Sequence, residues 1–319
     1  MSKGVSVVIA YHNDVADLME TLDSLYDTMN IDPWEVIVVN DGGRNKLKEK
    51  RRNLIHIDNP INLGVGRSFD IGVGVAQYDT IFISCADITH PNSDYVEKMY
   101  SSVQDNPKSL ICTTTCSYQN PRMHNYGADI LFKITDDDLP KNSPFRKNGE
   151  HRSILEGRWR TKTGEGTYPL PSLMGSFYGV TREWYEFVRG FELHYQWGSL
   201  EPYISLKSWM LGGSILINTD IDVLHKSGRV GFAKKEEKAY VYNRMMIAFV
   251  VFGSYGIQFA EHLGQNSVVA EAADIYHNAM QDVSLLRAYI EEHSVMSPEE
   301  LHKKMVSMSQ YHGKKGLTE

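Results

Sequence analysis

Hydrophobic positions along the N-terminal third of the chain fall into two alternating rhythms. Continuous apolar runs, VSVVIAY at 5–11, WEVIVVN at 34–40 and TIFIS at 80–84, suit strands covered on both faces. Between the first two, DVADLMETLDSLYDTM sets Val15, Leu18, Leu22 and Leu25 at helical spacing, with Asn13 or Asp14 as candidate cap. LIHID reads as a short strand, NLGVGRSFDIGVGVAQ as a glycine-tolerant turn and helix, SDYVEKMYSSVQ as a helix and SLICTTTCSY as a strand. The basic run RNKLKEKRR is compatible with a helix or a loop. Alternation of this kind predicts an α/β fold, a mostly parallel sheet with right-handed crossovers and a site along the carboxyl ends of its strands.

The rhythm breaks from about 119 to 170, where ADILFKI is a lone strand pattern followed by the acidic TDDD, read as a solvated loop, and a long basic segment. Long irregular segments inside a domain are usually functional or flexible. Regular patterning resumes at LPSLMGSFYGVTREWYEFV, and from 235 onward it is helical. In that tail Ser297 and Glu300 have the spacing of a capping box. The division expected is a domain over 1–232 and a helical extension over 233–319. The extension could cover the domain, pair with a second copy or bind an acceptor.

Composition narrows the function. A net charge of −7 argues against wholesale coating of nucleic acid, and three cysteines (Cys85, Cys112, Cys116) without framework spacing suit a reducing setting. Cys112 and Cys116 read as buried thiols rather than as a metal pair. MSKGVSVVIAYHND enters a strand without a leader-like apolar core, and MMIAFVVFG at 245–253 is too short to span a bilayer, so a cytoplasmic protein without membrane insertion is expected. The first strand ends in AYHND without a glycine, GVGRSF and GVGVAQ each lack the third glycine of a dinucleotide fingerprint, and no phosphate loop is present.

Asp87 carries the first chemical signal. It ends the buried strand of TIFISCADITHP, a favoured position for a ligand or metal contact in an open sheet. Tyr11-His12-Asn13-Asp14, Asn40-Asp41-Gly42-Gly43, Asn62 to Arg67 and Cys85-Ala86-Asp87 then follow in order at successive strand ends. Downstream lie LMGSFYGVTREWYEFVRGF and WGSLEPYISLKSWMLGGSILINTDIDVLH, which ends on His225. From residue 4 to about 230 this series resembles the GT-A glycosyltransferases, specifically family 2 and its relatives that add N-acetylgalactosamine to polypeptides.

The resemblance implies a GT-A fold and transfer of a single sugar from a nucleotide-sugar, a UDP-sugar above all, to an acceptor hydroxyl, with Mn2+ or Mg2+. It assigns Ala10, Tyr11, Asn13, Asp14, Asp41, Arg67, Ala86, Asp87, Met174, Gly175 and Trp197 to the donor. It assigns Asp87 and His225 to the metal, and Glu201, the acid of the family's E-D motif, to the general base, which implies inversion; the polypeptide-transferase pattern of the second half keeps retention open. Two positions depart from the pattern: Cys85 stands where a first metal-binding acid is expected, and Leu200 where the motif has another acid.

Two basic clusters bear on the acceptor: residues 44–52 hold six basic groups against one acid, and 141–162 hold seven against two, with Trp159 interleaved. They are either solvated loops or a grip on an anionic acceptor such as hydroxymethylated bases in phage DNA, with Arg158, Trp159, Arg160 and Trp197 as its contacts. A non-catalytic sugar-nucleotide-binding scaffold and a nucleotidyltransferase are the competing functions, the first motivated by the acids missing at Cys85 and Leu200.

Overall fold

The computed structural model describes residues 2–120, 122–132, 154–226, 234–263 and 267–310. The triple acid at 135–138 and the basic residues at 141–153 lie outside the described residues. The N-terminal alternation appears as read: β1 (Ser2–Tyr11), α1 (Val15–Thr28), β2 (Trp34–Asn40), β3 (Leu54–Asp58), α2 (Val65–Val75) and β4 (Tyr78–Ser84). The basic run before β3 is a loop. A two-residue strand β5 (Ile88–Thr89) precedes α3 (Tyr95–Asp105) and β6 (Ser109–Ser117).

Short strands follow: β7 (His124–Asn125), β8 (Ala128–Ile130), β9 (Gly157–Trp159) and β10 (Thr167–Pro169). The second half continues with β11 (Phe177–Thr181), α4 (Arg182–Phe187), α5 (Leu200–Met210) and β12 (Ser214–His225). The helical tail comprises α6 (Lys234–Met246), α7 (Ile257–Ala260), α8 (Ser267–Asn278), α9 (Met280–His293) and α10 (Pro298–Met308). Ser297 caps α10 in a full capping box with Glu300, as the spacing predicts. Asp14 occupies the cap position of α1 but its side chain makes no capping bond. Asn13 instead adopts a positive φ of 68° and accepts from the amides of Arg44 and Asn45, which ties the basic loop to the end of β1.

The main sheet runs β10-β12-β6-β11-β4-β1-β2-β3. The β3-β2-β1-β4 half is parallel throughout; α1 makes the crossover from β1 to β2, the basic loop that from β2 to β3, and α2 that from β3 to β4. β11 then enters antiparallel between β4 and β6, so the parallel expectation holds for one half and breaks in the other. β12 lies parallel to β6 and carries a bulge between Asn218 and Asp222. Both faces of the sheet are covered, which is why its strands are nearly unbroken apolar runs.

The tail does not form a separate layer. Ile247, Phe252, Leu286 and Leu301 belong to the same apolar cluster as Ile37, Phe69 and Ile217 of the sheet side. Position 232 is therefore not a boundary in the core, and of the three roles open to the tail, covering the domain is the one its packing serves. A buried ion pair completes the attachment: Arg160, just after β9, bonds Asp129 of β8. Arg160 also donates to the carbonyl of Met308 at 3.0 Å, and Asp129 accepts from the amide of Gln310 at 2.9 Å. The sequence-based expectation placed Arg160 among the acceptor contacts; in the structure its charge is buried against Asp129.

Removing one member of a buried pair leaves the other charge uncompensated, at a cost of about 3–5 kcal/mol. Asp129→Ala should therefore lower the urea midpoint strongly, in line with that loss. Arg160→Met, which keeps bulk but leaves the carboxylate alone, should do the same. A stability within about 0.5 kcal/mol of wild type would remove the pair from its anchoring role.

Candidate active site

The carboxyl ends of β4 and β12 meet beneath a cavity of about 620 Å3. Two observations explain the meeting. His225 and Leu224 pair with Ile88 and Thr89 of β5, and the Lys226 amide donates to the Asp87 carbonyl at 3.0 Å. Asp87 Oδ1 and His225 Nε2 consequently lie 3.3 Å apart, and with Cys85 Sγ they form a cluster whose atoms are all within 4.8 Å of one another. Burial, aided by the charges of Asp87 and Glu201, pushes the Cys85 thiol well above its usual range. It is a neutral thiol beside a carboxylate and an imidazole.

The opposite wall comes from β11 and α5. Met174, Gly175 and Ser176 precede β11, and the Cys85 amide donates to the Ser176 carbonyl at 2.7 Å. A methyl group on Gly175 would press on Thr115 Oγ1 at 3.2 Å, so glycine keeps this wall open. Glu201 stands in the first turn of α5, where a negative charge is favoured by the helix dipole. Burial nevertheless pushes its carboxyl up to about 7; the charge of Glu156 raises it further and His225 lowers it.

The rim is aromatic. Trp159 and Trp197 both line the cavity and are 42% and 37% exposed, high for their size. Gly198 has φ of 101°, and a Cβ there would meet the Tyr240 ring at 2.6 Å, so only glycine lets α6 approach this closely. Asn243 Nδ2 then donates to the carbonyls of Tyr195 and Gly198, at 2.9 and 2.8 Å, and fastens the tail to the Trp197 segment.

Several cavity residues carry no signal in a motif reading. Glu156 accepts from Ser199 Oγ at 2.8 Å and pairs with Arg244 of α6 at 3.1 Å. Thr115 Oγ1, Ser176 Oγ, Tyr178 OH and Arg244 Nε are buried on the cavity wall without a hydrogen-bond partner among the described residues. Such groups are costly unless a ligand or water satisfies them. The clue in the sequence was faint: Asn243 and Arg244 are polar residues inside an apolar helical stretch, which Glu156 could serve only once the fold was known.

Of the expected site residues, Asp87, Trp159, Met174, Gly175, Trp197, Glu201 and His225 line one cavity. The others lie elsewhere. Ala10 is buried in the core, and Ala86, just past the end of β4, packs against a second apolar cluster and does not line the cavity. Tyr11 OH accepts from the Leu47 amide and lies 3.2 Å from His56 Nε2, so it braces the basic loop. Asp41, buried at the end of β2, accepts from the amides of Leu63 and Gly64 and so holds the entry to α2. Arg67 is exposed on α2, 3.7 Å from Asp70. Asp14 is exposed and Arg158 half-buried on β9. In the basic loop, Lys46 pairs with Asp58 and Arg51 with Asp23 and Glu49.

Comparison with known proteins agrees with this architecture. The glycosyl transferase family 2 model matches residues 6–186, which include Asp87 and end before Glu201 and His225. Polypeptide N-acetylgalactosaminyltransferase 8 of Drosophila melanogaster is 24% identical over 233 residues; the match takes in 66% of this chain and 36% of that protein, so the chain spans about a third of that relative. Among solved structures, GalNAc-T7 with UDP, GalNAc and Mn2+ superposes with a TM-score of 0.68 at 18% identity, over 96% of this chain and 57% of that one. S. aureus TarS 1–349 in complex with UDP-GlcNAc gives 0.51 at 11% identity, over 96% of this chain and 81% of that one. These likenesses are of fold, and they agree with a GT-A architecture. With more than half of its length matched by the family model, the chain belongs to glycosyl transferase family 2.

Proposed function

We propose that this protein is a glycosyltransferase that moves one sugar from a UDP-sugar to an acceptor hydroxyl, with a divalent cation held by Asp87 and His225. The observation that carries the reading is the convergence of Asp87, His225 and Glu201 on one cavity whose wall also bears unpartnered hydroxyls. The donors bound by GalNAc-T7 and TarS, UDP with GalNAc and UDP-GlcNAc, support the donor class, and the Mn2+ of the GalNAc-T7 structure supports the metal.

The residues fit a hard cation. A carboxylate oxygen and an imidazole nitrogen 3.3 Å apart could together hold one ion. Mn2+ or Mg2+ would take little from the thiol of Cys85. When bound, the cation supplies positive charge to the departing nucleoside diphosphate. Arg67, at the start of α2, is the cation the family resemblance assigns to the same charge, although it lies outside the cavity lining. Asp41, with the nearby end of β1, is the candidate contact for the uracil N–H.

Glu201 is the proposed general base. Its carboxyl, raised to about 7, is matched to accepting a proton from a hydroxyl near neutrality. Trp159 and Trp197 offer flat faces for the acceptor, a sugar ring or an unpaired base. The anionic-acceptor reading now rests on fewer groups, since Lys46, Arg51 and Arg160 are engaged within the protein. A salt titration of binding to single-stranded and duplex DNA decides it: a steep slope supports a nucleic-acid acceptor and a flat response removes it.

Three outcomes test the reading. Asp87→Ala and His225→Ala should each lower Mn2+-dependent hydrolysis of a UDP-sugar by about 100-fold or more; a scaffold would hydrolyse nothing at the outset, and a nucleotidyltransferase would instead release pyrophosphate from a nucleoside triphosphate supplied with a sugar phosphate. Glu201→Gln should lower transfer by about 100- to 10,000-fold, and wild-type transfer should fall as pH drops below about 7, where the carboxyl takes up a proton. An inverted product anomer, read by NMR, is expected; a retained one would reassign Glu201 from base to donor contact. Stability should move the other way: the folded protein binds the Glu201 proton more tightly than the unfolded chain, so its burial costs stability as pH rises from about 4.5 to about 7. Glu201→Gln should therefore unfold at a higher temperature than wild type at pH 8, with the gap closing by pH 4.

A further inference from the structure

Across the sheet from the cavity, a second set of side chains converges. Thr115 of β6 lines the cavity, so its neighbour Cys116 points to the other face. There Cys116 Sγ, an imidazole nitrogen of His124 and a carboxylate oxygen of Asp222 all lie within 4.8 Å of one another, with Sγ 3.3 Å from His124 Nδ1. Three elements of the fold bring them together. β11 pairs with β6 only at Ile111 and Cys112, which leaves the end of β6 free for β7, and β7 sets His124 directly opposite Cys116. On the other flank, β12 carries its bulge immediately before Asp222, with the Asp220 amide closed onto Asn218 Oδ1 at 2.9 Å. A bulge re-aims the side chains that follow it, and here Asp222 comes opposite Thr114, on the same face as Cys116. Finally, the Tyr126 ring lies 12° from parallel to the His124 ring at 6.1 Å, which restrains the imidazole.

We propose that Cys116, His124 and Asp222 form a binding site for a zinc-class transition-metal ion. A thiolate, an imidazole and a carboxylate together favour Zn2+ or Co2+ over Mg2+ or Ca2+. Bonds of about 2.3 Å to sulfur and about 2.0 Å to nitrogen at a tetrahedral angle separate those atoms by roughly 3.5 Å, so the observed spacing needs little adjustment. Binding displaces the thiol proton to solvent. Three protein ligands leave a fourth position, which opens on the side of the exposed His124 and can take water. The ion would join the two-residue strand β7 to β6 and β12 and hold the sheet edge behind the Asp87–His225 pair. It is separate from the cavity cluster, whose thiol is Cys85.

Titration of the chelator-treated full chain with Co2+, read by thiolate-to-Co2+ charge-transfer absorption, tests the site. One equivalent should produce the band. Cys116→Ser should abolish it, and Cys85→Ser should keep it. Loss of an outer partner of a metal ligand typically costs about 10- to 100-fold in affinity, so His124→Ala and Asp222→Asn should weaken binding at least that much. A wild-type protein without the band, or a band that survives Cys116→Ser and disappears in Cys85→Ser, would overturn the proposal. Alkylation of wild-type Cys116 by iodoacetamide gives a readout independent of any variant's folding: Zn2+ should slow it, and equal rates with and without Zn2+ would overturn the site.

Discussion

Two residues of β5 paired with the last two of β12 are the constraint on which the site depends. That ladder sets His225 opposite Ile88 and leaves its imidazole against Asp87. The Lys226 amide bonds the Asp87 carbonyl, and Lys226 Nζ bonds Asp17 of α1 at 3.0 Å, so one junction joins β4, β12 and the first helix. Each bond contributes only about 1 kcal/mol, but register is all-or-none. A slip of one residue turns a strand's side chains to the other face, and His225 would leave the cavity. The bulge in β12 belongs to the same device, because it resets the register of β12 on β6 before the strand reaches its functional end.

The tail helices complete what the sheet begins. Without α6 the cavity would lack Tyr240 and Arg244, and Glu156 would lose its cation. That loss would reach Glu201, since the charge of Glu156 already raises its carboxyl. Two carboxylates therefore share the cavity in different surroundings. Glu156 is paired and hydrogen-bonded, whereas Glu201 has a buried carboxyl and a raised affinity for protons.

The sheet was legible in the sequence because its strands are buried on both faces and read as unbroken apolar runs. Asp87 stood out because it ends such a run, and His225 only through the family resemblance. The antiparallel insertion of β11 was not, since SFYGVT has the same local pattern in either direction and only tertiary pairing orients it. Arg160 was misleading for a physical reason: a basic residue in a basic run looks solvated, and its buried partner Asp129 lies on another strand. Tyr11 and Asp41, which the family resemblance assigns to the donor, have hydrogen bonds to backbone amides of the neighbouring loops. Glu156 and Arg244 were invisible because a pair between a loop and a distant helix leaves no spacing to read.

Four of the buried polar atoms that have no hydrogen-bond partner among the described residues lie together on the cavity wall. A buried polar atom without a partner costs about 1–3 kcal/mol, and Thr115, Ser176, Tyr178 and Arg244 place four such atoms on one wall. Other buried polar groups do find neighbours, as the Trp184 and Trp209 indoles donate to Ser208 Oγ and the Leu170 carbonyl. The scaffold sustains the cost because the wall is mounted on strands whose apolar residues are almost wholly buried, so the site cannot relax by collapsing. Polar groups held open at the carboxyl ends of rigid strands are, on the function proposed above, the ones that a sugar or a diphosphate would satisfy.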